Sequence, residues 1–245
     1  MVAVSSEHLS ELVRIESEVH YAVPPPDGTA PFVIVRRPSP VLLSAPHGAI
    51  TYRGSAGETW HQEDDYTAGM ALLLARLCGT SAMATVWRTG DSDPNYHREP
   101  RSAYKRALRA LVAEMRVQWV IDLHASADAS LPACILVDLG TRQDLQSLPQ
   151  AQLERLNGLL EAALGPGTVS RDRFPARREG RTITAFCHGV LGLHAVQVEM
   201  KSAVRAVVRR RDASAYAEWG PYRADPADVV GMMGALAAFV GGLGE

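Results

Sequence analysis

The stretch Pro40-Val-Leu-Leu-Ser-Ala-Pro-His-Gly48 is an apolar run that ends in a histidine at a turn. A second stretch, Val117-Gln-Trp-Val-Ile-Asp-Leu-His124, is also a largely apolar run that ends in a histidine. Both runs have the length and composition of buried strands. Because open α/β sheets bind ligands at the carboxyl ends of their strands, we predict that His47 and His124 project from that edge toward a ligand.

Strand patterns alternate with helix patterns along most of the chain. This alternation predicts a largely parallel or mixed sheet that helices cover on both faces. Apolar runs predict further strands at 32–36, 82–88, 133–139, 182–186 and 193–200. Apolar residues at helical spacing predict helices at 66–77, 102–115, 149–164 and 228–240. Residues 1–30 are polar and end in a proline-rich segment, so we expect them to form an extended lead into the first strand.

The composition indicates one domain, residues 1–245, because 245 residues of which 47% are hydrophobic can bury a full core. A net charge of −2 gives no reason to expect nucleic acid or an anionic membrane as the partner, so we expect a small molecule. An oligomer is possible. Three widely spaced cysteines without a CxxC pair indicate buried, reduced thiols. No signal peptide and no long apolar segment is evident, so we expect a cytoplasmic protein.

The histidines and a nearby acidic run predict a metal site. Two imidazoles and one carboxylate from separate elements are the usual ligands of a catalytic zinc, which keeps its fourth position open. Glu63-Asp-Asp65 offers three adjacent carboxylates, of which one or two can face a metal while the others start the following helix. His61 is also near in sequence and could bind the metal, although we expect it to be an exposed neighbour. Asp122 shares a strand face with His124 and can orient its imidazole.

Glu199 is the candidate general base. It ends the run Val196-Gln-Val-Glu199, where apolar residues surround it. A carboxylate in apolar surroundings has a raised proton affinity, which suits a group that takes a proton from an attacking water. The alternative is a surface glutamate on an edge strand.

Two groups of arginines can recognise a substrate carboxylate, because the guanidinium group binds carboxylates in a planar, bidentate manner. One group, Arg98 and Arg101, follows Asn95 in a loop. The second is crowded into a later loop and consists of Arg171, Arg173, Arg177, Arg178 and Arg181. We expect most of these side chains to be solvated.

Five motifs, taken together, resemble the N-formylglutamate amidohydrolase family in order and spacing. They are Ser44-Ala-Pro-His-Gly48, Glu63-Asp-Asp-Tyr-Thr67, Asp93-Pro-Asn95, Ile121-Asp-Leu-His124 and Gln197-Val-Glu199. The resemblance runs from about residue 40 to residue 201. It implies an α/β/α sandwich around a mixed sheet, similar to zinc-dependent exopeptidases of the carboxypeptidase class.

The resemblance also implies residue roles and an activity. His47, Asp64 and His124 are similar to the zinc ligands, and Glu199 is similar to the general base. The implied reaction is hydrolysis of the linear amide of an N-acylated amino acid such as N-formylglutamate. A metallopeptidase, a deacylase with another acyl substrate and a non-catalytic metabolite-binding relative are the alternatives.

The chain departs from the family pattern at two places. The family commonly has an Asn-Arg pair where this sequence has Asn95-Tyr96, so the arginine that would hold a substrate carboxylate is unplaced, and Arg98 or Arg101 can substitute for it. Gly180-Arg181 stands where the family tends to have two glycines before the segment that starts at Thr182. The predicted substrate-binding residues are Asn95, Arg98, Arg101, Arg181 and Thr182, with Asp122 and Glu63 supporting the metal ligands.

Overall fold

The computed structural model describes residues 3–54, 60–142, 146–176, 180–214 and 222–243. Helices and strands alternate along much of this length. In chain order they are α1 (Glu7–Ser17), β1 (Phe32–Val35), β2 (Val41–Ala45), β3 (Thr51–Tyr52), β4 (Trp60–His61), α2 (Thr67–Cys78), β5 (Ser81–Thr85), α3 (Ala103–Met115), β6 (Trp119–Ala125), β7 (Val137–Gly140), α4 (Gln150–Leu164), β8 (Val169–Arg171), α5 (Ile183–Gly189), β9 (His194–Met200) and α6 (Pro226–Gly241).

Seven of the strands form one mixed sheet in the order β1-β5-β2-β6-β9-β7-β8. The four central strands β5, β2, β6 and β9 run parallel to one another. At the two flanks, β1 and β7 run antiparallel to their central neighbours, and β8 is parallel to β7. Because β2, β6 and β9 are adjacent and parallel, the residues at their carboxyl ends lie next to one another.

Helices cover both faces of the sheet. Helices α1, α2, α4 and α6 lie on one face, and α3 and α5 lie on the other. Successive residues of β2 join different apolar clusters, since Leu43 packs on the α2 side and Leu42 packs with Tyr104 and Phe186 on the α3 side. The predicted three-layer α/β/α sandwich around a mixed, largely parallel sheet is confirmed.

The predicted extended segment at residues 1–30 is wrong in its first half, where the structure has helix α1. Leu9 and Leu12 are buried in the main apolar cluster, and the next turn buries Glu16. Helix α1 packs on α2, and a Cβ atom at Gly69 of α2 would lie only 2.7 Å from Glu16 Oε2. The absence of a side chain at Gly69 therefore lets the two helices approach closely.

The predicted strand at 182–186 is also wrong, because these residues start helix α5. Thr182 adopts an extended conformation and its hydroxyl accepts a hydrogen bond from Ala185 N at 3.1 Å, which is the contact of a helix N-cap. The β-branched residues Thr182, Ile183 and Thr184 favoured a strand in the sequence. Burial of Ile183 and Phe186 against the sheet outweighs this local preference.

Neither Asp64 nor Asp65 caps helix α2 with its side chain. The N-cap position is Tyr66, whose φ of 68° is left-handed and whose side chain makes no capping bond. The carboxylate of Glu16 accepts hydrogen bonds from Tyr66 N at 2.7 Å and Gly69 N at 2.9 Å instead. A side chain from another helix therefore supplies the cap.

Smaller differences from the sequence predictions concern one strand and the cysteines. Strand β7 begins at Val137, four residues later than predicted. Cys187 is buried as expected, but Cys78 is only partly buried and Cys134 is exposed. Among the described residues, no helix is long and apolar enough to cross a membrane.

Candidate functional site

The carboxyl ends of β2, β6 and β9 bring three predicted residues to one cavity. His47 follows β2, and His124 and Glu199 are register partners near the ends of β6 and β9. The cavity has a volume of about 390 Å³, and we name it the Glu199 cavity. Its lining consists of His47, Arg53, His61, Asp64, Asn95, Tyr96, His124, Ala125, Arg173, Phe174, Pro175, Thr182, Gln197 and Glu199.

The turn after β2 holds His47 in place from both sides. Thr85 Oγ1 donates to Pro46 O at 2.7 Å, and Asp64 N donates to His47 O at 2.7 Å. A Cβ atom at Gly48 would lie 2.4 Å from Thr85 O and 2.5 Å from Ala68 Cβ. Glycine at this position therefore lets the turn pass between β5 and α2.

His47 and His124 present the same ring nitrogen to the Asp64 carboxylate. Nδ1 of His47 lies 3.5 Å from Asp64 Oδ2, and Nδ1 of His124 lies 3.0 Å from the same oxygen. The opposite nitrogen of each ring is held by another carboxylate, since His47 Nε2 lies 2.8 Å from Asp93 Oδ1 and His124 Nε2 lies 3.1 Å from Asp122 Oδ2. Carboxylates that hold the second nitrogen in this way fix the orientation of metal-binding imidazoles.

His47, Asp64 and His124 supply donor atoms that suit a divalent metal ion. His47 Nδ1 is buried, faces Asp64 and has no hydrogen-bond partner. A buried nitrogen without a partner is unusual, and a bound metal ion would satisfy it. Ligand atoms about 2.0–2.1 Å from a tetrahedral zinc ion are about 3.4 Å apart, which matches the separation of His47 Nδ1 and Asp64 Oδ2. Nitrogen and carboxylate oxygen donors are also the ligands that zinc prefers outside thiolate sites.

His61 belongs to the same cluster, which corrects the expectation that it is exposed. Ring nitrogens of His47 and His61 and a carboxylate oxygen of Asp64 all lie within 4.8 Å of one another. The His61 ring is partly buried and stacks on His47, with ring centres 4.0 Å apart and planes inclined by 27°. A metal ion lies in the plane of each imidazole that binds it. The planes of His47 and His61 are nearly parallel and meet only far from both rings, so one ion cannot lie in both planes at binding distance.

The orientation of the rings therefore favours His124 over His61 as the second imidazole ligand beside His47. The His47 and His124 rings are inclined by 67° with centres 5.1 Å apart, so their planes intersect close to both. His61 Nδ1 donates to Gln62 O at 2.6 Å. The His61 ring stacks on His47 and covers one side of the cluster.

The charges of the cluster are strongly coupled. Burial alone lowers the pKa of His47, but the carboxylates of Asp93 and Asp64 raise it to about 9. Burial also opposes protonation of His124, and Asp122 and Asp64 hold its pKa well above the usual value. Burial and the neighbouring charge of His47 lower the pKa of His61 to about 3. Without a metal ion, two imidazolium groups thus neutralise the carboxylates, and a divalent cation would take over this role.

Asp64 is the only member of the acidic run that reaches the two imidazoles. Burial raises the pKa of its carboxyl group, but the hydrogen bond from His124 and the positive charges of both imidazoles outweigh burial and hold it well below its usual range. Glu63 turns away and accepts a hydrogen bond from Ser214 N at 2.5 Å. Asp65 forms a buried ion pair with Arg205. The helix-start role expected for these two neighbours is wrong, because both carboxylates bind partners outside α2.

Glu199 has the raised proton affinity expected of a general base. Burial raises the pKa of its carboxyl group to about 7, although the charge of His124 acts in the opposite direction. Gln197 Nε2 donates to Glu199 Oε1 at 2.6 Å and fixes the orientation of the carboxylate. Glu199 lies on a central strand, β9, rather than on an edge strand.

The predicted substrate-binding residues separate into two sets. Asn95 and Thr182 line the Glu199 cavity, and the Arg181 guanidinium lies 5.7 Å from the ring centre of Tyr96, which also lines it. Asn95 links His124 to the start of α5. Its Nδ2 lies 3.0 Å from His124 Nε2, and its Oδ1 accepts a hydrogen bond from Ile183 N at 2.7 Å. Arg98 and Arg101 are exposed and do not line this cavity; Arg98 borders a different one.

Two residues of the site, Asp93 and Arg53, were not assigned a role from the sequence, and Arg173 was named there only within a group of arginines. Asp93 is fully buried and joins His47 Nε2 to Arg53, whose Nε donates to Asp93 Oδ2 at 2.6 Å. Arg53 and Arg173 line the Glu199 cavity. The motif Asp93-Pro-Asn95 was a usable signal for Asp93. Arg177 and Arg178 lie outside the described residues.

No protein-family model and no curated protein matches this sequence. Among solved structures, N-formylglutamate amidohydrolase from Ralstonia eutropha JMP134 matches 88% of this chain and 97% of its own, with a TM-score of 0.57 and 15% identity. The gene product Atu2144 from Agrobacterium tumefaciens matches 88% of this chain and 93% of its own, with a TM-score of 0.54 and 15% identity. A metallo-carboxypeptidase from Burkholderia cenocepacia matches 98% of this chain and 70% of its own, with a TM-score of 0.47 and 12% identity. The chain therefore shares the fold of the N-formylglutamate amidohydrolase structure, as its motifs had indicated.

Proposed function

We propose that this protein is a metal-dependent hydrolase that cleaves the linear amide bond of an N-acylated amino acid, of which N-formylglutamate is one example. One observation carries the proposal: His47 and His124 direct their Nδ1 atoms at a single oxygen of Asp64, beside the Glu199 carboxylate in one cavity. The fold shared with an N-formylglutamate amidohydrolase supports it.

His47, Asp64 and His124 would hold the metal, for which zinc is the proposed ion. When bound, zinc polarises the amide carbonyl and makes a water molecule acidic enough to attack near neutral pH. Asp93 and Asp122 keep the two imidazoles oriented through their Nε2 atoms. His61 limits access to the cluster by covering one face of His47.

Glu199 would act as the general base and then as the general acid. It takes a proton from the attacking water, and it gives that proton to the nitrogen atom as the carbon–nitrogen bond breaks. A pKa of about 7 suits both steps, because the carboxylate can accept and release the proton near neutral pH. Gln197 keeps the carboxylate oriented while it does so.

Arg173 is the proposed partner of the carboxylate on the amino-acid part of the substrate. Arg173 lines the Glu199 cavity and is exposed, and no ion pair ties its guanidinium to another described residue. Arg53 lines the same cavity but is paired with Asp93. Asn95 and Thr182 line the cavity and can bind polar groups of the same part of the substrate.

The experiment that tests this function compares zinc content and turnover in the wild type and in Glu199→Gln. The wild type should bind one zinc ion per chain and hydrolyse an N-acylated glutamate. Glu199→Gln keeps the shape of the side chain and removes the proton acceptor, so it should bind zinc normally while turnover falls by about 10²-fold to 10⁴-fold. Glu154→Gln, an exposed substitution on α4, is the control and should change neither quantity.

Two results would contradict the proposal. A wild-type protein that contains no metal and cannot be loaded with zinc would rule out the metal-dependent mechanism. Loss of zinc in Glu199→Gln would make Glu199 a ligand, and unchanged turnover would move the proton transfer to another group.

A further inference from the structure

A second cavity adjoins Asp64 and His61, and Glu199 does not line it. It has a volume of about 380 Å³ and shares Arg53, His61, Asp64 and Ala125 with the Glu199 cavity. We name it the Arg209 cavity. Its other lining residues are Trp60, Gln62, Glu63, Asp65, Ser126, Ala127, Asp128, Ser202, Arg205 and Arg209. Asp64 therefore borders both cavities, whereas His47, His124 and Glu199 line only the first.

Arg209 differs from the two other arginines that line this cavity. Arg205 is paired with Asp65, and Arg53 is paired with Asp93. Arg209 is only 8% exposed, its Nε has no hydrogen-bond partner, and no described carboxylate forms an ion pair with it. Its guanidinium lies 5.3 Å from the ring centre of Tyr222, a contact that holds the side chain without neutralising it. A buried cation without a counter-ion is costly, so this position favours an anionic ligand.

The acidic residues of the cavity have partners within the protein, although one oxygen of Asp65, the residue paired with Arg205, is buried without a hydrogen bond. Glu63 binds Ser214, and Asp128 accepts hydrogen bonds from both the backbone and the hydroxyl of Ser202. Ser126 offers a second donor, because its buried hydroxyl has no hydrogen-bond partner. Arg209 and Ser126 thus offer a cation and a hydroxyl group to a carboxylate. Neither group has a described partner that the carboxylate would have to displace.

We propose that the Arg209 cavity binds a carboxylate on the acyl part of the substrate, so that the preferred acyl group is that of a dicarboxylic acid, such as succinyl, rather than formyl. This inference rests on the proposed hydrolase function. Glu199 delivers a proton to the leaving nitrogen, which assigns the amino-acid part to the Glu199 cavity and leaves the adjoining Arg209 cavity for the acyl part. A formyl group carries only a hydrogen atom beyond its carbonyl carbon and would leave the Arg209 cavity empty.

The reaction is a hydrolysis that balances without another reactant. The oxygen of water forms a bond to the acyl carbon, and the bond from that carbon to nitrogen breaks. One proton of the water passes through Glu199 to the nitrogen. The products are a dicarboxylic acid and a free amino acid.

The first test measures kcat/KM of the zinc-loaded protein with N-succinyl-, N-acetyl- and N-formylglutamate. The succinyl substrate should be preferred. Arg209→Met should lower kcat/KM for it by about 10-fold to 100-fold, the effect of losing a hydrogen bond to a charged group, and should change the acetyl substrate by less than about threefold. Arg209→Lys keeps the charge and should restore part of the preference. Arg211→Met removes an exposed neighbouring arginine and should have no effect.

The second test measures binding by calorimetry and does not depend on turnover. Succinate and acetate can both reach the metal through one carboxylate, but only succinate has a second carboxylate for Arg209. The zinc-loaded wild type should bind succinate at least about 10-fold more tightly than acetate, and Arg209→Met should lose this difference.

The outcomes separate the two proposals. If no N-acylated amino acid is hydrolysed, the proposed function fails, and the comparison of succinate with acetate still decides the role of Arg209. If the formyl substrate is preferred, or if Arg209→Met lowers all three activities equally, the dicarboxylic specificity is wrong while the hydrolase function stands. Equal binding of succinate and acetate by the wild type would also overturn the assignment of Arg209.

Discussion

Asp64 and Asp65 are chemically identical neighbours whose surroundings give them different tasks. The Asp64 carboxylate faces two imidazoles, and the Asp65 carboxylate faces the guanidinium of Arg205. Both side chains are buried, so neither can replace its partner with water. The left-handed conformation of Tyr66 turns the chain immediately after them and starts α2. Adjacent carboxylates therefore serve the site and the core separately.

Substitution of these two residues tests that separation. Asp64→Asn should lose stoichiometric zinc, because an amide is a poor replacement for an anionic ligand. Asp65→Asn should keep its zinc but lower the free energy of unfolding by about 3 kcal/mol, since the buried charge of Arg205 loses its counter-ion. Elemental analysis and urea denaturation of both variants measure the two effects. Retention of one zinc per chain in Asp64→Asn would show that another group is the ligand.

Single residues were predictable from the sequence where they lie on strands or directly after them. His47, His124 and Glu199 each follow an apolar run, and adjacent parallel strands necessarily bring such positions together. Asp93 and Arg53 lie in loops, and their contact with each other depends on loop paths that no local pattern specifies. The same limit applies to Arg209, whose isolation from carboxylates is a property of the folded chain.

At the scale of elements, the contact of α1 with α2 depends on the buried carboxylate of Glu16. This group accepts hydrogen bonds from Tyr21, Tyr66 and Gly69, and burial raises its pKa to about 7. A glutamine at this position would have only one acceptor oxygen, and its amide group would face one of these hydrogen-bond donors. Glu16→Gln should therefore lower the free energy of unfolding by about 1–3 kcal/mol.

The pH dependence of this effect has a definite sign. The folded protein binds the Glu16 proton more tightly than the unfolded chain does, so the contribution of Glu16 to stability is complete below about pH 4.5 and decreases as the pH rises to about 7. The stability difference between wild type and Glu16→Gln should shrink over this range in urea denaturation. Glu18→Gln, at an exposed surface ion pair, should change stability by less than about 1 kcal/mol at any pH. A difference that grows with pH would contradict the assignment.

Elements were predictable where apolar periodicity is strong, as for β2, β6, β9 and α3. Helix α5 was not, because its β-branched residues favour a strand locally and only burial against the sheet makes the segment helical. Helix α1 was missed because its buried face includes a charged residue, Glu16, whose partners lie on α2 and in the preceding loop.

At the scale of the whole molecule, the sheet joins segments that are far apart in the chain. The proposed ligands come from the turn after β2, the residues before α2 and the end of β6, and these meet only when the sheet has formed. The alternation of strands and helices predicted the layers. The order of the strands depends on these long-range contacts and did not follow from the sequence.

Because the ligands meet only in the folded protein, zinc should stabilise the native state and have little affinity for the unfolded chain. A zinc concentration 100 times the dissociation constant should raise the free energy of unfolding by about 2.7 kcal/mol, and each further tenfold increase should add about 1.4 kcal/mol. Urea denaturation at several buffered zinc concentrations measures this slope. Asp64→Asn should show no dependence on zinc in the same experiment, whereas Asp65→Asn should show the wild-type slope from a lower starting value. A zinc-independent wild type would mean that the cluster of His47, Asp64 and His124 is held together by its own hydrogen bonds and binds no metal.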